Sequence, residues 1–283
     1  MASFTNFATL SYNGGTTNSN IVTGEILEAL TAVKTAVSAN YSAGDRITYA
    51  LSLVNTGTAA ITDYTVTDNL GGYTVGANTV YPLAYNAGTV RYYINGVLQT
   101  APTVTAGPPL TVTGLTVPAG GSAVLIYETT ATPVAPLATG SSITNTATIT
   151  GAGLTTPITA QATVETANSA ELSISKALSP TTVTENGQIT YTFVISNTGN
   201  TEATATGNVV VTDTFAPILR NIAVTYNGTA WTEGTNYTYN AATGVFTTLA
   251  GQITVPAATF TQNTDGTFTV TPGTATLVIT GTV

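Results

Sequence analysis

Two lysines at matching places in an internal repeat carry the chemistry this sequence can offer. Among 283 residues there are five basic side chains, and only Lys34 and Lys176 are lysines. Side chains of a strand alternate between its two faces. Lys176 then falls in phase with Leu172, Ile174 and Leu178, and Lys34 holds the equivalent place, so each is expected on an apolar face. Lysine is rarely buried without a partner. Asp68 is in phase with Tyr64, Val66 and Leu70, and Asp213 with Val209, Val211 and Phe215. The same alternation turns Asn145 and Asn6 inward. An amine, a carboxyl and a carboxamide are therefore expected inside each completed domain. The plainest outcome is a buried Lys–Asp ion pair with the amide hydrogen-bonded nearby.

The trio also resembles the self-formed isopeptide crosslink of Gram-positive pilin and adhesin domains. That resemblance implies a neutral lysine amine attacking the side-chain carbonyl of an asparagine, with ammonia leaving. It implies an acid, kept protonated by burial, that polarises the amide and relays protons. On this reading domain 1 closes through Lys34, Asp68 and Asn145. Domain 2 supplies Lys176 and Asp213 and takes Asn6 from another subunit.

The elements that would position these groups come from the repeat. Leu30-Thr31-Ala32-Val33-Lys34 matches Leu172-Ser173-Ile174-Ser175-Lys176. Ile47-Thr48-Tyr49 matches Ile189-Thr190-Tyr191, and Asn55-Thr56-Gly57 matches Asn197-Thr198-Gly199, all at one offset. Val66-Thr67-Asp68 matches Val211-Thr212-Asp213 after a small insertion. Pro118 and the run Ala123 to Tyr127 pair with Pro272 and Ala275 to Ile279. Short alternating segments separated by Asn55-Thr-Gly, Gly71-Gly72, Asn95-Gly96, Asn227-Gly228 and Asp265-Gly266 read as strands and turns. The fold class is all-β: two immunoglobulin-like sandwiches in tandem, over residues 26–166 and 167–283, after an N-terminal donor strand or hairpin over 1–25.

That leading segment repeats part of domain 1. Ser3 to Ser11 lines up with Ser142 to Thr150, including Thr5-Asn6 against Thr144-Asn145. The second copy reaches Val283 without this hairpin, so domain 2 is expected to be incomplete. Phe4, Asn6, Ala8 and Leu10 share a face, as Ile143, Asn145, Ala147 and Ile149 do, which suits strand addition to an open sheet edge. The link from Gly24 to Leu30 is about as long as that from Glu165 to Leu172. The hairpin should thus sit against domain 1 as the tail of a preceding domain. A contact of that kind, repeated without ring closure, builds a filament of identical subunits joined head to tail.

Composition narrows the rest. Charged residues are 6% of the chain and the net charge is -8, so nucleic acid and anionic membranes are not expected partners. Without Cys or His, disulfides, thiolate metal sites and triad hydrolysis are excluded. No cofactor and no metal is expected; acidic turns such as Asp265-Gly266 lack the spacing of a calcium loop and read as turn chemistry. The sequons at Asn40, Asn227 and Asn236 read as chance in a Thr-rich chain. Trp231 with Tyr237 to Tyr239 reads as cross-strand packing, with a sugar platform as the alternative. The N-terminus has no basic start and apolar core of the secretory type, so either a leader was removed, or the protein leaves the cell by another route, or it is assembled in a cell that later lyses, as a mother cell does around a spore.

The order Lys34, Ile47-Thr-Tyr49, Val54-Asn-Thr-Gly57, Val66-Thr-Asp68, Pro118, Thr144-Asn145 and Ala147-Thr148 resembles the "conserved repeat" domain of bacterial surface proteins. The whole chain is similar to its short, leaderless Clostridia-type members. The resemblance implies an immunoglobulin-like fold, an extracellular place on a cell or spore surface, and a structural or adhesive role without enzyme activity. The expected function is a filament subunit, pilus-like or a spore appendage. The rivals are a monomeric adhesin or carbohydrate-binding module and a surface-layer component.

Overall fold

A computed structural model of the chain describes residues 2–26, 29–151, 154 and 156–283. These are strands and loops, with one 3-10 turn at Ala205–Gly207. Two compact units emerge: Met1–Ala135 with Ser142–Glu165, and Pro136–Ser141 with Thr166–Val283. The stretch from Pro136 belongs with the second unit because Asn200 Nδ2 donates to the Leu137 carbonyl at 3.0 Å and Thr139 Oγ1 donates to the Asn200 carbonyl. The expected boundary at residue 26 borders Leu27 and Glu28, which lie outside the described residues.

The N-terminal segment pairs with itself. Strands β1 (Ala2–Asn6) and β4 (Val22–Ile26) form one antiparallel ladder, and β2 (Thr9–Tyr12) and β3 (Gly15–Asn18) form another. The register slips by one residue between Asn6↔Val22 and Thr9↔Asn18, where Ser19 Oγ accepts the Ala8 N–H, as at a β-bulge. No core covers this hairpin: Phe4, Phe7, Leu10, Tyr12, Ile21 and Val22 are each between 53% and 66% exposed.

Domain 1 contains β5 (Leu30–Ala36), β6 (Asn40–Tyr41), β7 (Arg46–Asn55), β8 (Ile61–Asp68), β9 (Tyr73–Val75), β10 (Asn78–Val80), β11 (Leu83–Tyr85), β12 (Arg91–Ile94), β13 (Val97–Leu98), β14 (Thr103–Thr105), β15 (Leu110–Val117), β16 (Ser122–Ala131), β17 (Ser142–Thr150) and β18 (Ile158–Thr166). One sheet runs β13-β12-β16-β7-β5, with β11 also on β16; the other runs β14-β15-β8-β17-β18-β6. The strict alternation of apolar and polar residues gives each sheet one dry face. Tyr49, Leu51 and Leu53 of β7 and Leu125 and Tyr127 of β16 meet Tyr64 and Val66 of β8 and Ile143, Ala147 and Ile149 of β17 in a closed core. The Thr-Val-rich segments take strand because β-branched side chains fit a pleated, half-buried surface. Asn95-Gly96 and Asn227-Gly228 have positive φ at both residues, the geometry of tight hairpin turns.

Domain 2 contains β19 (Leu172–Ser179), β20 (Gln188–Asn197), β21 (Thr212–Thr214), β22 (Arg220–Tyr226), β23 (Thr229–Trp231), β24 (Tyr237–Asn240), β25 (Val245–Thr248), β26 (Thr259–Gln262), β27 (Phe268–Thr271) and β28 (Gly273–Thr282). Its main sheet, β19-β20-β28-β22-β23, repeats β5-β7-β16-β12-β13 strand for strand. Its second layer is shorter, β24-β25-β21, with β26-β27 as a separate hairpin. Both domains are immunoglobulin-type sandwiches. Trp231 stacks on Tyr226 at 4.8 Å and Tyr237 packs on Phe246 at 5.2 Å, so these aromatics serve domain packing.

One repeated feature is more structural than its turn signal suggests. Asn55 is buried; its Nδ2 donates to the carbonyls of Ala59 and Pro118, and its Oδ1 accepts the Gly57 N–H. Asn197 does the same toward Thr201, Pro256 and Gly199, and also accepts the Glu171 N–H. Pro256 therefore holds the place of Pro118, and the expected match to Pro272 is corrected. The hairpin β26–β27 is inserted between Pro256 and β28, which moves the counterpart proline upstream. Asn197→Ala should strand several buried backbone groups and destabilise domain 2 by about 2–4 kcal/mol; a urea midpoint within error of the parent would contradict this.

Candidate functional site

In domain 1 the edge strand β5 presents Lys34 to the core, and β8 presents Asp68 at its end. Lys34 Nζ is 2.5 Å from Asp68 Oδ2, with side-chain exposures of 0% and 1%. The Tyr127 hydroxyl donates to the same carboxylate oxygen, and the Leu70 N–H donates to Oδ1 at 3.0 Å. Lys34 Nζ stands over the Tyr49 ring at 4.8 Å and the Tyr127 ring at 5.8 Å. Burial pulls the Lys34 amine down from 10.5 to about 8, against the pull of Asp68 toward the charged form. Burial likewise pushes the Tyr49 and Tyr127 hydroxyls well above their ordinary range.

Asn145 lies beside the two tyrosines of this centre. In the β17–β8 ladder Ala147 is opposite Asp68, so Asn145 enters the same face one pleat further along. It is fully buried, and neither its Oδ1 nor its Nδ2 has a hydrogen-bond partner. The Tyr49 and Tyr127 hydroxyls lie beside the carboxamide without meeting hydrogen-bond geometry. A buried polar group left in this state costs about 1–3 kcal/mol. The expected Lys34–Asp68 ion pair is present, and the carboxamide has the two tyrosine hydroxyls as its polar neighbours.

Domain 2 holds the same pair in a different setting. Lys176 of β19 donates to Asp213 of β21, above the rings of Tyr191 at 4.4 Å, Phe193 at 5.4 Å and Phe215 at 5.5 Å. The side-chain exposures are 39% for Lys176 and 18% for Asp213. Strand parity placed Lys176 on an apolar face with Leu172, Ile174 and Leu178, and it is there, but the face is open: all eight residues of β19 are exposed. Asn6, expected inward, is exposed on the hairpin.

The difference has one cause. In domain 1, β8 is followed in its sheet by β17, β18 and β6. Among the described residues of domain 2, β21 has a ladder only to β25, and nothing stands in the places of β17 and β18. The counterpart of Tyr41, buried where β18 runs beside β6, is Val183, which is 38% exposed. The edge of β21 is open on the side where β17 and β18 follow β8 in domain 1, and the residues matching β6 form no strand. The hairpin offers two strands in the corresponding register: Ser3↔Glu25, Phe4↔Gly24 and Asn6↔Val22 in β1–β4 parallel Ser142↔Glu165, Ile143↔Val164 and Asn145↔Ala162 in β17–β18. Phe4 and Gly24 replace a medium-sized pair by a large and a null one, and a Cβ on Gly24 would meet the Phe4 ring at 2.4 Å.

Tyr127 was not legible as a site residue. Its only signal is that Ile279 holds its place in the second copy, so the carboxylate of Asp213 has no tyrosine from β28. Among the described residues no cluster of acidic side chains could hold a metal ion.

No family model and no curated protein matches this chain. Among solved structures it is similar to the major pilin subunit BcpA of Bacillus cereus at 15% identity, covering 96% of this chain and 73% of that one, with a TM-score of 0.36. It is similar to the pilus backbone RrgB of Streptococcus pneumoniae at 14% identity, covering 86% and 55%, with a TM-score of 0.36. A fragment of a major pilin of Streptococcus agalactiae is similar at 12% identity, covering 56% and 67%, with a TM-score of 0.36.

The Lys34 environment has a pH signature. The unfolded chain holds the Lys34 proton up to 10.5, whereas the folded domain releases it near 8. Between these values the unfolded state carries more protons, so stability rises with pH. Above about 10 the buried tyrosines keep protons that the unfolded chain loses, and the trend reverses. Asn145→Ala, which removes the carboxamide, should gain about 2 kcal/mol from pH 8 to 9.5 in urea unfolding of domain 1. Adding Lys34→Met should remove that rise, and a flat profile in the single variant would contradict it.

Proposed function

We propose that this chain is the structural subunit of an extracellular filament, pilus-like or a spore appendage, built from copies of itself. The hairpin β1–β4 of one subunit fills the gap in domain 2 of the next, and lysine–asparagine isopeptide bonds lock both domains. The observation that carries this reading is the agreement between the open edge of β21, where domain 1 has β17 and β18, and an exposed hairpin whose β1–β4 register repeats that of β17–β18. Main-chain hydrogen bonds to the open edge of β21 supply affinity, and the alternate side chains of the hairpin supply register. An open edge of this kind is otherwise a hazard that natural sheets avoid.

The chemistry follows from domain 1. Moving one proton from Lys34 to Asp68 gives a neutral amine and a neutral acid with no outside proton. The amine nitrogen then forms a bond to Asn145 Cγ while the Cγ–Nδ2 bond breaks. The nitrogen gives up one proton, Nδ2 receives one through Asp68, and ammonia leaves. Asp68 acts as the proton relay and Tyr127 orients its carboxylate. The same steps in domain 2 use Lys176, Asp213 and Asn6 of the neighbour. The orphaned carboxamide of Asn145 supports this reading over a purely structural ion pair, since an amide retained for stability would be hydrogen-bonded. No turnover is implied; each site reacts once.

Seating the hairpin would cover Phe4 and Leu10 together with Leu172, Ile174 and Leu178. At about 1–2 kcal/mol for each half-exposed side chain this is roughly 5–10 kcal/mol, similar to the cost of association. Docking alone is then reversible, and the covalent bond makes the joint permanent.

Purified protein should form threads in negative stain and a ladder that survives boiling in detergent. Each subunit in the fibre should be lighter than its sequence by two molecules of ammonia. Removing residues 2–26 should leave monomers lighter by one. Asn145→Ala should restore that ammonia and cost about 4–5 kcal/mol by opening a loop of this length. Threads from the truncated chain would refute the donor hairpin, sheets would favour a surface layer, and a full-weight monomer would refute the crosslink.

A further inference from the structure

We propose that Lys176 is a docking-gated reaction site whose substrate is Asn6 of a second copy, inert until the hairpin is seated. This rests on the reading that the hairpin completes domain 2. The two lysine centres of one chain provide the comparison. At Lys34 the covering strands are present, the pair is dry, and the carboxamide is in place. At Lys176 the pair, the aromatic floor and the carboxylate are already assembled, but the cover and the carboxamide are both missing. One strand supplies both. In domain 1 the strand that carries Asn145 also carries Ile143, Ala147 and Ile149, which close the core beside it. In the hairpin the strand that carries Asn6 also carries Phe4, Ala8 and Leu10 on the same face.

The same movement that delivers the carboxamide therefore removes water from the amine. A strand seated two residues out of register would set Phe4 or Ala8 at the lysine, and no bond could form. The covalent step then reads correct docking, and a free subunit keeps both reactive groups unused. Each fibre retains one unreacted Lys176 at one end and one unreacted Asn6 at the other, so both ends stay competent for growth.

The test uses the full chain carrying Asn6→Ala, so that its own hairpin cannot react, and a synthetic peptide of residues 2–26. Peptide binding is followed by calorimetry and the adduct by mass, read as peptide less one ammonia on Lys176. The adduct rate should saturate with peptide concentration, and an Asn6→Ala peptide should bind without reacting. A peptide with Phe4→Asp, which keeps Asn6, should lose both binding and reaction at least tenfold. With the wild-type chain, excess peptide should cap growing fibres. An acetylating N-hydroxysuccinimide ester should modify Lys176 in the free Asn6→Ala chain and spare Lys34, and bound Asn6→Ala peptide should protect Lys176. A rate linear in peptide up to saturating concentration, or equal reaction of the Phe4→Asp peptide, would overturn the gating and leave the filament reading intact. Binding without any adduct would overturn the chemistry at Lys176. Absence of peptide binding would overturn the donor reading itself.

Discussion

A lysine amine stays dry in this fold only where a sheet closes sideways over it. In domain 1 the six strands from β14 to β6 are continuous, and β17 and β18 sit in the middle of that run. Their inward residues seal the space between the two layers, so Lys34 and Asp68 meet away from water. In domain 2, among the described residues, β21 stands in the place of β8, the residues matching β6 form no strand, and no strand takes the places of β17 and β18. Everything that distinguishes the centres follows: the exposure of Lys176, the opened apolar face of β19, and the lack of a carboxamide.

Stability alone does not account for the domain 1 centre. Burying an ion pair brings a desolvation penalty that often matches its Coulombic gain, and an apolar replacement is frequently as stable. A buried amide with no hydrogen bond adds a further cost. The cluster is costly as packing: the amine is pulled toward neutrality by burial, the carboxylate accepts from Lys34, Tyr127 and Leu70, and the carboxamide is buried beside the Tyr49 and Tyr127 hydroxyls. A domain without cysteine has few other means of covalent closure.

The hairpin shows the complementary economy. Its apolar side chains are exposed on a ribbon that pairs only with itself, and isolated two-stranded ribbons are marginal in water. Its register already equals that of the strands it would replace, so seating needs no re-pairing between β1 and β4. The Phe4–Gly24 pair gives the ribbon a shape of its own, different from that of the Ile143–Val164 pair at the same register position in domain 1.

Much of this was legible in the chain. Alternation turned Lys34, Asp68 and Asn145 toward the core because a strand has a period of two and the core selects a single phase. The repeat gave the segments of domain 2 that match those of domain 1 and the kinship of Asn6 with Asn145, since paired strands need matching patterns. Four things waited for the tertiary structure. Tyr127 joined the site because β16 lies opposite β8 across the core, a long-range placement with no local signal. Asn55 and Asn197 became buried staples because Pro118 and Pro256 arrive beside them from far along the chain. The amide of Asn145 proved to have no partner, and Lys176 proved to be wet. Residue type and spacing determine which groups share a face; whether water reaches them depends on strands brought from elsewhere, because burial belongs to the closed sheet and not to the strand.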